Sequence, residues 1–307
     1  MKLINQPTDL GGRNRKVCLA IGMFDGVHLG HQQVLRQAIE QSHQHEALSV
    51  AITFDRHPAT VIAPDKVPAL LQTRNQRLRA IESLGVDAAL VIRFDKSFCS
   101  KPGELFIREM ATDFGSIRSI SVGANFTFGH RRDGNVELLR ILGRALDFRV
   151  YGLKAVAIDG KPVSSTRIRI AVREGKLDTA GQMLGRTFAI QGNIVRGDGR
   201  GRELGFPTAN LATCGLALPP NGVYAAHARL GLTTYRAVLN IGFRPTIPEP
   251  NPKPQVEAHL LDFDDDIYGQ LIELELIEWL RDEQRFSSAD ELAMQIKHDI
   301  KNARSLF

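Results

Sequence analysis

At 307 residues the chain has length for about two domains, and a hydrophobic content of 43% supplies ordinary globular cores. Its 39 Lys and Arg exceed 34 Asp and Glu by a net +5, which suits anionic substrates, but the basic residues are scattered and form no stripe of the kind that tracks nucleic acid. Cys18, Cys99 and Cys214 have no pairing pattern, which points to a reducing cytoplasm rather than a disulfide-stapled fold. The opening MKLINQPTDL lacks an apolar h-region, and no apolar run approaches a membrane span, so neither a signal peptide nor a membrane protein is expected.

In chain order, the apolar run Val17 to Ile21 reads as a first buried strand. A helix follows, with Val34, Leu35, Ala38 and Ile39 on one face. Leu48 to Phe54 and Ala88 to Phe94 read as further strands. Between them Leu78, Ile81 and Leu84 mark a helix that stops at Gly85. Ser119 to Val122 is a short strand and Val136 to Leu146 a helix. This alternation predicts an α/β N-terminal domain: a Rossmann-like parallel sheet with helices on both faces. Ligands of such sheets bind beyond the carboxyl ends of the strands.

The second half changes character. Phe188 to Arg196, Val223 to Leu230, Tyr235 to Ile241, Val256 to Leu261 and Leu271 to Leu280 are strand-like, separated by Gly, Pro and Asp clusters with no helices between them. The expectation is a mostly antiparallel β-barrel or sandwich. Ser288 and Glu291 predict a capping box for a closing helix with the stripe Leu292, Ile296 and Ile300. The boundary is expected near Gly185, giving domains 1–185 and 186–307. Pro245 to Pro254 holds five prolines and is expected to be an extended loop.

The richest segment is Gly22-Met-Phe-Asp-Gly-Val-His28-Leu-Gly-His31. A strand, a tight turn and a helix start bring backbone N–H groups and the positive helix end to one point. His28 and His31 then share a face on the first turn. The set suits a polyphosphate attacked at its α-phosphorus, with the imidazoles donating where charge builds up. Helix capping and metal ligation are the alternatives; zinc would need further ligands that no recognised spacing supplies. Gly123-Ala-Asn125-Phe-Thr-Phe-Gly129-His-Arg-Arg132 again follows a strand, and Ser164-Ser165-Thr166-Arg167-Ile-Arg169 offers hydroxyls and guanidiniums at a helix start suited to pyrophosphate. Taken alone, each reads first as a helix cap with surface arginines. Phe54-Asp-Arg-His57-Pro58 is expected to line the same crevice, in a role left open.

In the second half, Gly197-Asp-Gly199-Arg-Gly-Arg202-Glu-Leu-Gly205-Phe206-Pro207-Thr208-Ala-Asn210 opens with glycines and arginines that let backbone approach phosphate. It is not a Walker loop, lacking Gly-Lys-Ser/Thr. Thr208 and Asn210 face one side of an extended segment and offer hard oxygens of the kind Mg²⁺ takes with phosphate and water. Glu257 is either a half-solvated sheet residue or a general base. Asp262, Asp264, Asp266 and Glu273 imitate a calcium loop, but Ile267 occupies the sharp-turn glycine position, so the segment reads as a solvated hairpin turn.

Taken together these motifs resemble the bifunctional riboflavin kinase/FAD synthetases of bacteria, over nearly the whole chain. The Gly22–His31 segment resembles the family's nucleotidyltransferase signature, and Gly205-Phe-Pro-Thr208-Ala-Asn210 its riboflavin kinase hallmark. Asn221-Gly-Val-Tyr224, Asn240-Ile-Gly-Phe-Arg-Pro-Thr246 and Leu280-Arg281 fit as well. The resemblance implies phosphorylation of riboflavin to FMN in the C-terminal domain and adenylyl transfer from ATP to FMN in the N-terminal domain. It implies His28, His31 and Glu257 as catalytic residues. Gly22, Phe24, Asp25, Gly30, Asn125, Ser164, Ser165, Thr166 and Arg167 would bind ATP and FMN. Gly199, Arg202, Gly205, Phe206, Pro207, Thr208, Asn210 and Arg281 would bind ATP and flavin in the kinase, with Thr208 and Asn210 at Mg²⁺. Mg²⁺ would arrive with ATP. Flavins would be substrates and products, with no tightly bound organic cofactor. Partners would be ATP, riboflavin, FMN and FAD, not nucleic acid or membrane, and the pattern is compatible with a homo-oligomer. Phe243 departs from the smaller or polar residue usual at its position. Two rival readings are a single-activity nucleotidyltransferase with a ligand-binding barrel and a nonenzymatic nucleic-acid-binding barrel protein; the second is poorly served by one Trp and four Tyr.

Overall fold

The computed structural model describes residues 1–11, 15–197, 200–213, 215–243 and 254–307. The chain forms two compact units, Met1–Ser165 and Thr166–Phe307.

The first unit is built on a six-stranded sheet in the order Lys2–Ile4, Ala88–Ile92, Leu48–Phe54, Lys16–Ile21, Ser116–Gly123, Arg149–Leu153. Every pairing in it is parallel. Strand alternation sorts the side chains into two layers. On one face Ala20, Ala51 and Ala89 lie side by side in register. These small residues let helices Leu29–His45 and Arg74–Glu82 pack closely, through Val34, Leu35, Ala38 and Ile81. On the other face Leu19, Ile21, Val50, Ile52 and Leu90 meet helices Gly103–Phe114 and Val136–Leu146 through Phe106, Ile107, Met110, Leu139 and Leu142. Helices thus cover both faces, as the alternation predicts. Strand Lys2–Ile4 gives no sequence signal because three residues are too few to show a period.

The second unit opens with helices Ser165–Arg173 and Leu177–Leu184, the latter closed by Gly185 in the left-handed conformation. A closed barrel follows, ordered Ala189–Val195, Ala209–Ala212, Gln255–Leu260, Thr233–Gly242, Gly222–Leu230, Leu271–Arg281. All its pairings are antiparallel. The sixth strand, Ala209–Ala212, is a four-residue piece inside the Gly-rich segment, too short to show alternation. Arg200–Glu203 adds one helical turn where the sequence reading expected none. Helix Ala289–Arg304 packs Ile300 and Ala303 against Val223, Ala225 and Val238. Ser288 caps it by accepting from the Glu291 N–H at 3.2 Å. The expected capping box is displaced by one residue: the Glu291 carboxylate accepts from the N–H and hydroxyl of Ser287, at 2.9 and 2.8 Å, rather than from Ser288.

Candidate active sites

In the first unit the chain leaves strand Lys16–Ile21 through a strained turn. Phe24 (φ 54°), Gly26 (φ 86°) and Val27 (φ 37°) all adopt positive φ. A β-branched valine in that region is costly and persists only where its surroundings fix it. Four side chains do so. Thr53 Oγ1 and Arg77 donate to the Met23 carbonyl at 3.0 and 3.1 Å. Ser165 Oγ donates to Asp25 O at 2.9 Å, and Gln32 Nε2 to Val27 O at 3.0 Å. The Phe24 carbonyl accepts from Val27 N–H at 3.0 Å. The turn's carbonyls, which would repel a phosphate, are therefore occupied on the protein side. Asp25 is buried, and its carboxylate accepts from the Leu71 N–H at 3.0 and 3.2 Å, so it anchors the turn rather than facing outward.

His28 caps helix Leu29–His45, its Nδ1 accepting from the His31 N–H at 3.3 Å. Capping was the bland alternative for this residue, and it coexists with the sharper role, because acceptance at Nδ1 places the neutral ring's proton on Nε2 as a donor. The His28 and His31 rings stack with centroids 3.6 Å apart at 17°. Gly30 leaves space for that stack: a Cβ there would lie 3.3 Å from His28 Cε1. Gly22 does the same for Phe24, whose ring meets His31 edge-on at 5.4 Å. Burial, followed by the charges of His28 and Arg77, holds the His31 imidazole well below the ordinary histidine range, so it is neutral at pH 7.

Beside this turn lies a cavity of about 790 Å³. Ile21 and Met23 form one wall, Phe54, Phe94, Phe98, Phe126 and Phe128 much of the rest, and Lys101, His130, Arg131 and Arg132 a basic rim. The phenylalanines run edge to face and stacked, with centroids 5.4–5.7 Å apart for Phe54–Phe94, Phe54–Phe98, Phe94–Phe98 and Phe126–Phe128. His57 and Pro58 of the Phe54–Pro58 segment also line it. Asn125 is exposed in the turn that follows strand Ser116–Gly123. Ser164 and Ser165 are half-buried at the start of helix Ser165–Arg173, with Thr166 exposed and Arg167 half-buried.

In the second unit a cavity of about 340 Å³ opens on the barrel wall, lined among others by Thr208, Asn210, Glu257, Asn240, Phe206 and Arg281. Strand register assembles its polar centre: Glu257 is paired with Asn210 on one side and Asn240 on the other. Thr208 lies two residues before Asn210 and faces the same cavity. The glycines fold back on this pair. A Cβ at Gly197 would lie 2.2 Å from Asn210 Nδ2, and one at Gly201 3.1 Å from Thr208 Oγ1. Gly205 turns the chain at φ +83°, and the Phe206 N–H closes onto Gly201 O at 2.7 Å. Arg202 and Pro207 line a separate small hollow, which Thr208 also touches. Gly199 and the Pro245–Pro252 stretch lie outside the described residues; Phe243 is exposed at the cavity rim.

Arg281 is committed within the wall. Its Nε and Nη2 donate to the Asp299 carboxylate at 2.8–3.0 Å and Nη1 to Asp282 O at 2.9 Å. Asp299 is buried on the closing helix, between the stripe residues that the sequence marks as apolar. Neither Asp299 nor Arg77 was singled out from sequence. The only signal was a charged residue flanking an apolar stripe, which surface helices show routinely. Asp262 pairs with Arg236 and Arg304, and Glu273 meets Gln191 and Arg229, so the imitation calcium loop is dispersed. Among the described residues no group of three or more His, Cys, Asp or Glu is placed to hold a metal.

Residues 12–167 match the family model for FAD synthetase and residues 184–307 that for riboflavin kinase. The chain is 37% identical to a bifunctional riboflavin kinase/FMN adenylyltransferase of Escherichia coli K12, over all of this chain and 98% of that protein. It is 35% identical to one of Bacillus subtilis, over 95% and 93%, and 34% identical to one of Haemophilus influenzae, over 94% of each. A solved structure from Streptococcus pneumoniae, described as a macrolide-efflux protein, shares 28% identity and a TM-score of 0.83 over 98% of each chain.

Proposed function

The chain belongs to the bifunctional riboflavin kinase/FMN adenylyltransferase family and carries both activities, and we propose that the residues described above divide the chemistry as follows. The reading rests on one observation. The histidine pair lies in one unit, on a turn whose Met23 lines one cavity, and the Thr208–Asn210–Glu257 set lines another cavity in the other unit.

In the kinase step Glu257 takes the proton from the riboflavin 5′-hydroxyl as its oxygen attacks the γ-phosphorus of ATP and ADP leaves. Thr208 and Asn210 would supply hard oxygen donors to a Mg²⁺ carried in by ATP. A Mg²⁺ held there would supply charge neutralisation on the phosphates. Asn210 and Asn240 flank Glu257 in the strand register, and all three line the cavity. Arg281, held by Asp299, shapes the wall near the flavin.

In the adenylyl step an FMN phosphate oxygen attacks the α-phosphorus of a second ATP and pyrophosphate leaves. His28 and His31 stabilise the charge that develops there as N–H donors; the His31 ring is neutral, and two stacked imidazolium rings would repel. The Gly22–Gly30 turn and the helix N-terminus receive the phosphates. Asn125 and the Ser164–Arg167 run add donors for the nucleotide. The phenylalanine-lined cavity suits an isoalloxazine ring, and its Lys101–Arg132 rim suits the FMN phosphate.

No helix among the described residues is long and apolar enough to cross a membrane. We place the enzyme in the cytoplasm, with small-molecule partners, compatible with a homo-oligomer and without a nucleic-acid partner. The full chain supplied with riboflavin, ATP and Mg²⁺ should give FMN and then FAD by HPLC. Formation of FMN without FAD, with FMN also refused as a substrate, would remove the adenylyl assignment. Taking the boundary near Gly185, residues 186–307 alone should form FMN but no FAD; an inactive fragment beside an active 166–307 fragment would move the boundary to the edge of the compact unit.

A further inference from the structure

The parallel sheet of the first unit has two ends, and the histidine turn occupies only the carboxyl one. At the amino ends of the strands lies an open cleft of about 970 Å³. Lys16, Arg118, Arg140, Arg144 and Arg149 line it, and Asp147 is the one carboxylate among its described lining residues. Lys16 and Arg149 are the first residues of their strands, so the cleft and the histidine turn stand a strand's length apart, roughly 20 Å at about 3.3 Å per residue.

Arg118 reaches this position through an irregularity. Strand Lys16–Ile21 pairs Val17 with Ile117 and Cys18 with Ser119, so Arg118 is an extra residue opposite no partner. The consequence is visible in the packing. Ile117 and Ile120, three apart, both enter the same core layer, which regular alternation forbids. A bulge of this kind re-aims one side chain. Arg140 and Arg144 are one turn apart on helix Val136–Leu146, an arrangement of like charges that is unfavourable in itself. Glu137 lies 3.4 Å from Arg140. Arg118, Arg144 and Arg149 have no ion pair among the described residues. The cleft is thus a set of guanidinium forks gathered from three elements, in excess over Asp147 in its lining and Glu137 beside Arg140.

Its chemistry narrows the ligand. Guanidinium forks suit phosphate oxygens, which accept two parallel N–H bonds each. Of its described aromatic lining residues Phe148 is buried, His45 and Tyr151 are half-buried, and the Tyr151 hydroxyl donates to Gln41 Oε1 at 2.7 Å. The volume is that of a small-molecule site rather than of a track for a polymer. We propose that this cleft binds an anion of linked phosphate groups, inorganic or carried by a nucleotide, at a site separate from both reactions.

The test is calorimetry on the full chain without Mg²⁺, titrating sodium tripolyphosphate into wild type, R118Q/R149Q and R118K/R149K. Wild type should bind one equivalent more than R118Q/R149Q. R118K/R149K should retain that equivalent at roughly tenfold weaker affinity, since lysine keeps the charge and loses the fork. The KM for ATP in each reaction should be the same in all three proteins. ATP titrated in the same way separates the sources: a gain over tripolyphosphate at this site identifies a nucleotide, and no gain identifies the phosphate chain alone. Equal stoichiometry in wild type and R118Q/R149Q overturns the proposal. So does an oligouridylate that loses binding in R118Q/R149Q while tripolyphosphate does not, which would make the cleft an RNA surface. If R118Q/R149Q melts early, R144Q, on an exposed helix position, repeats the comparison under the same criteria.

Discussion

The two sites are held by different kinds of structure. In the barrel, Glu257, Asn210 and Asn240 meet because antiparallel register puts them opposite one another. Backbone pairing alone assembles the polar centre, and a side chain enters or leaves it only by a change of register. In the parallel-sheet unit the histidines sit on a turn with unfavourable φ values, held by side chains from 30, 54 and 140 residues away, Thr53, Arg77 and Ser165. A register-built site should tolerate substitutions around it and fail sharply at the reacting groups. A tethered site should also fail at residues that never touch substrate.

The sharpest loss is expected in the barrel. Glu257→Gln keeps the shape and hydrogen bonding but cannot take a proton, so kcat for FMN formation should fall roughly a hundredfold or more. KM for ATP and conversion of supplied FMN to FAD should stay near wild type. Wild-type kcat in this variant would make Glu257 a sheet residue only. Thr208→Ala and Asn210→Ala should instead weaken productive Mg–ATP binding, with partial recovery at higher Mg²⁺.

The histidine turn comes next. His28→Ala or His31→Ala should slow FAD formation by about ten- to a thousandfold, the scale for losing one transition-state donor. FMN formation should hold, because it occurs in the other unit. Equal loss of both activities in a folded variant would join what the comparison separates. His28→Ala should also loosen the helix start by about 1 kcal/mol, since it removes the cap.

What was legible in the sequence follows the same division. The parallel sheet, the barrel, the glycine-bracketed histidines and the Thr208–Asn210 pair all depend on local spacing, which a sequence displays. Glu257 was ambiguous because its partners are set by strand order, which spacing does not reveal. The phenylalanine-lined cavity draws on residues from Phe54 to Phe128, each ordinary in its own segment. Asp25 reads as a site residue from its motif, yet its carboxylate is turned to the Leu71 N–H. Arg77 and Asp299 were invisible because only tertiary packing makes a helical charge buried.

Arg77 therefore tests the tethered half of the comparison. Its guanidinium donates to the carbonyls of Met23 and Phe54, which belong to the two strand ends flanking the site. Arg77→Met keeps the stem and removes both bonds. The first unit should lose about 2–3 kcal/mol, the scale of a hydrogen bond from a charged group with its partner left behind, and FAD formation should fall by roughly tenfold through misplacement of the turn. Thermal unfolding and the two activities measured side by side would check it, and an unchanged adenylyl rate in a destabilised protein would make Arg77 a fold residue alone.

The smallest effect is a pH dependence carried by His31. Burial and the neighbouring charges of His28 and Arg77 lower its folded pKa well below 6.5, the value expected for the unfolded chain. Between those two values the unfolded state binds more protons than the folded one, so stability rises with pH. The neutral His31 contribution is complete above about pH 6.5 and is lost as pH falls through that value, by at most about 1.4 kcal/mol per pH unit for one proton. Asp55 and Asp262 are displaced the same way, with folded pKa values lowered from the ordinary carboxylate range, but they act below about pH 4. The window from pH 5 to 6.5 is therefore where His31 can be read. Denaturant unfolding of wild type and His31→Gln across it should show a wild-type slope that the variant reduces. Adenylyl transfer should hold its rate at pH 6, because the ring remains neutral in the folded protein until its own lowered pKa is reached. An activity that instead drops through pH 6.5 with an unperturbed histidine profile would mean that the pair is open to water, and that stacking rather than burial governs the site.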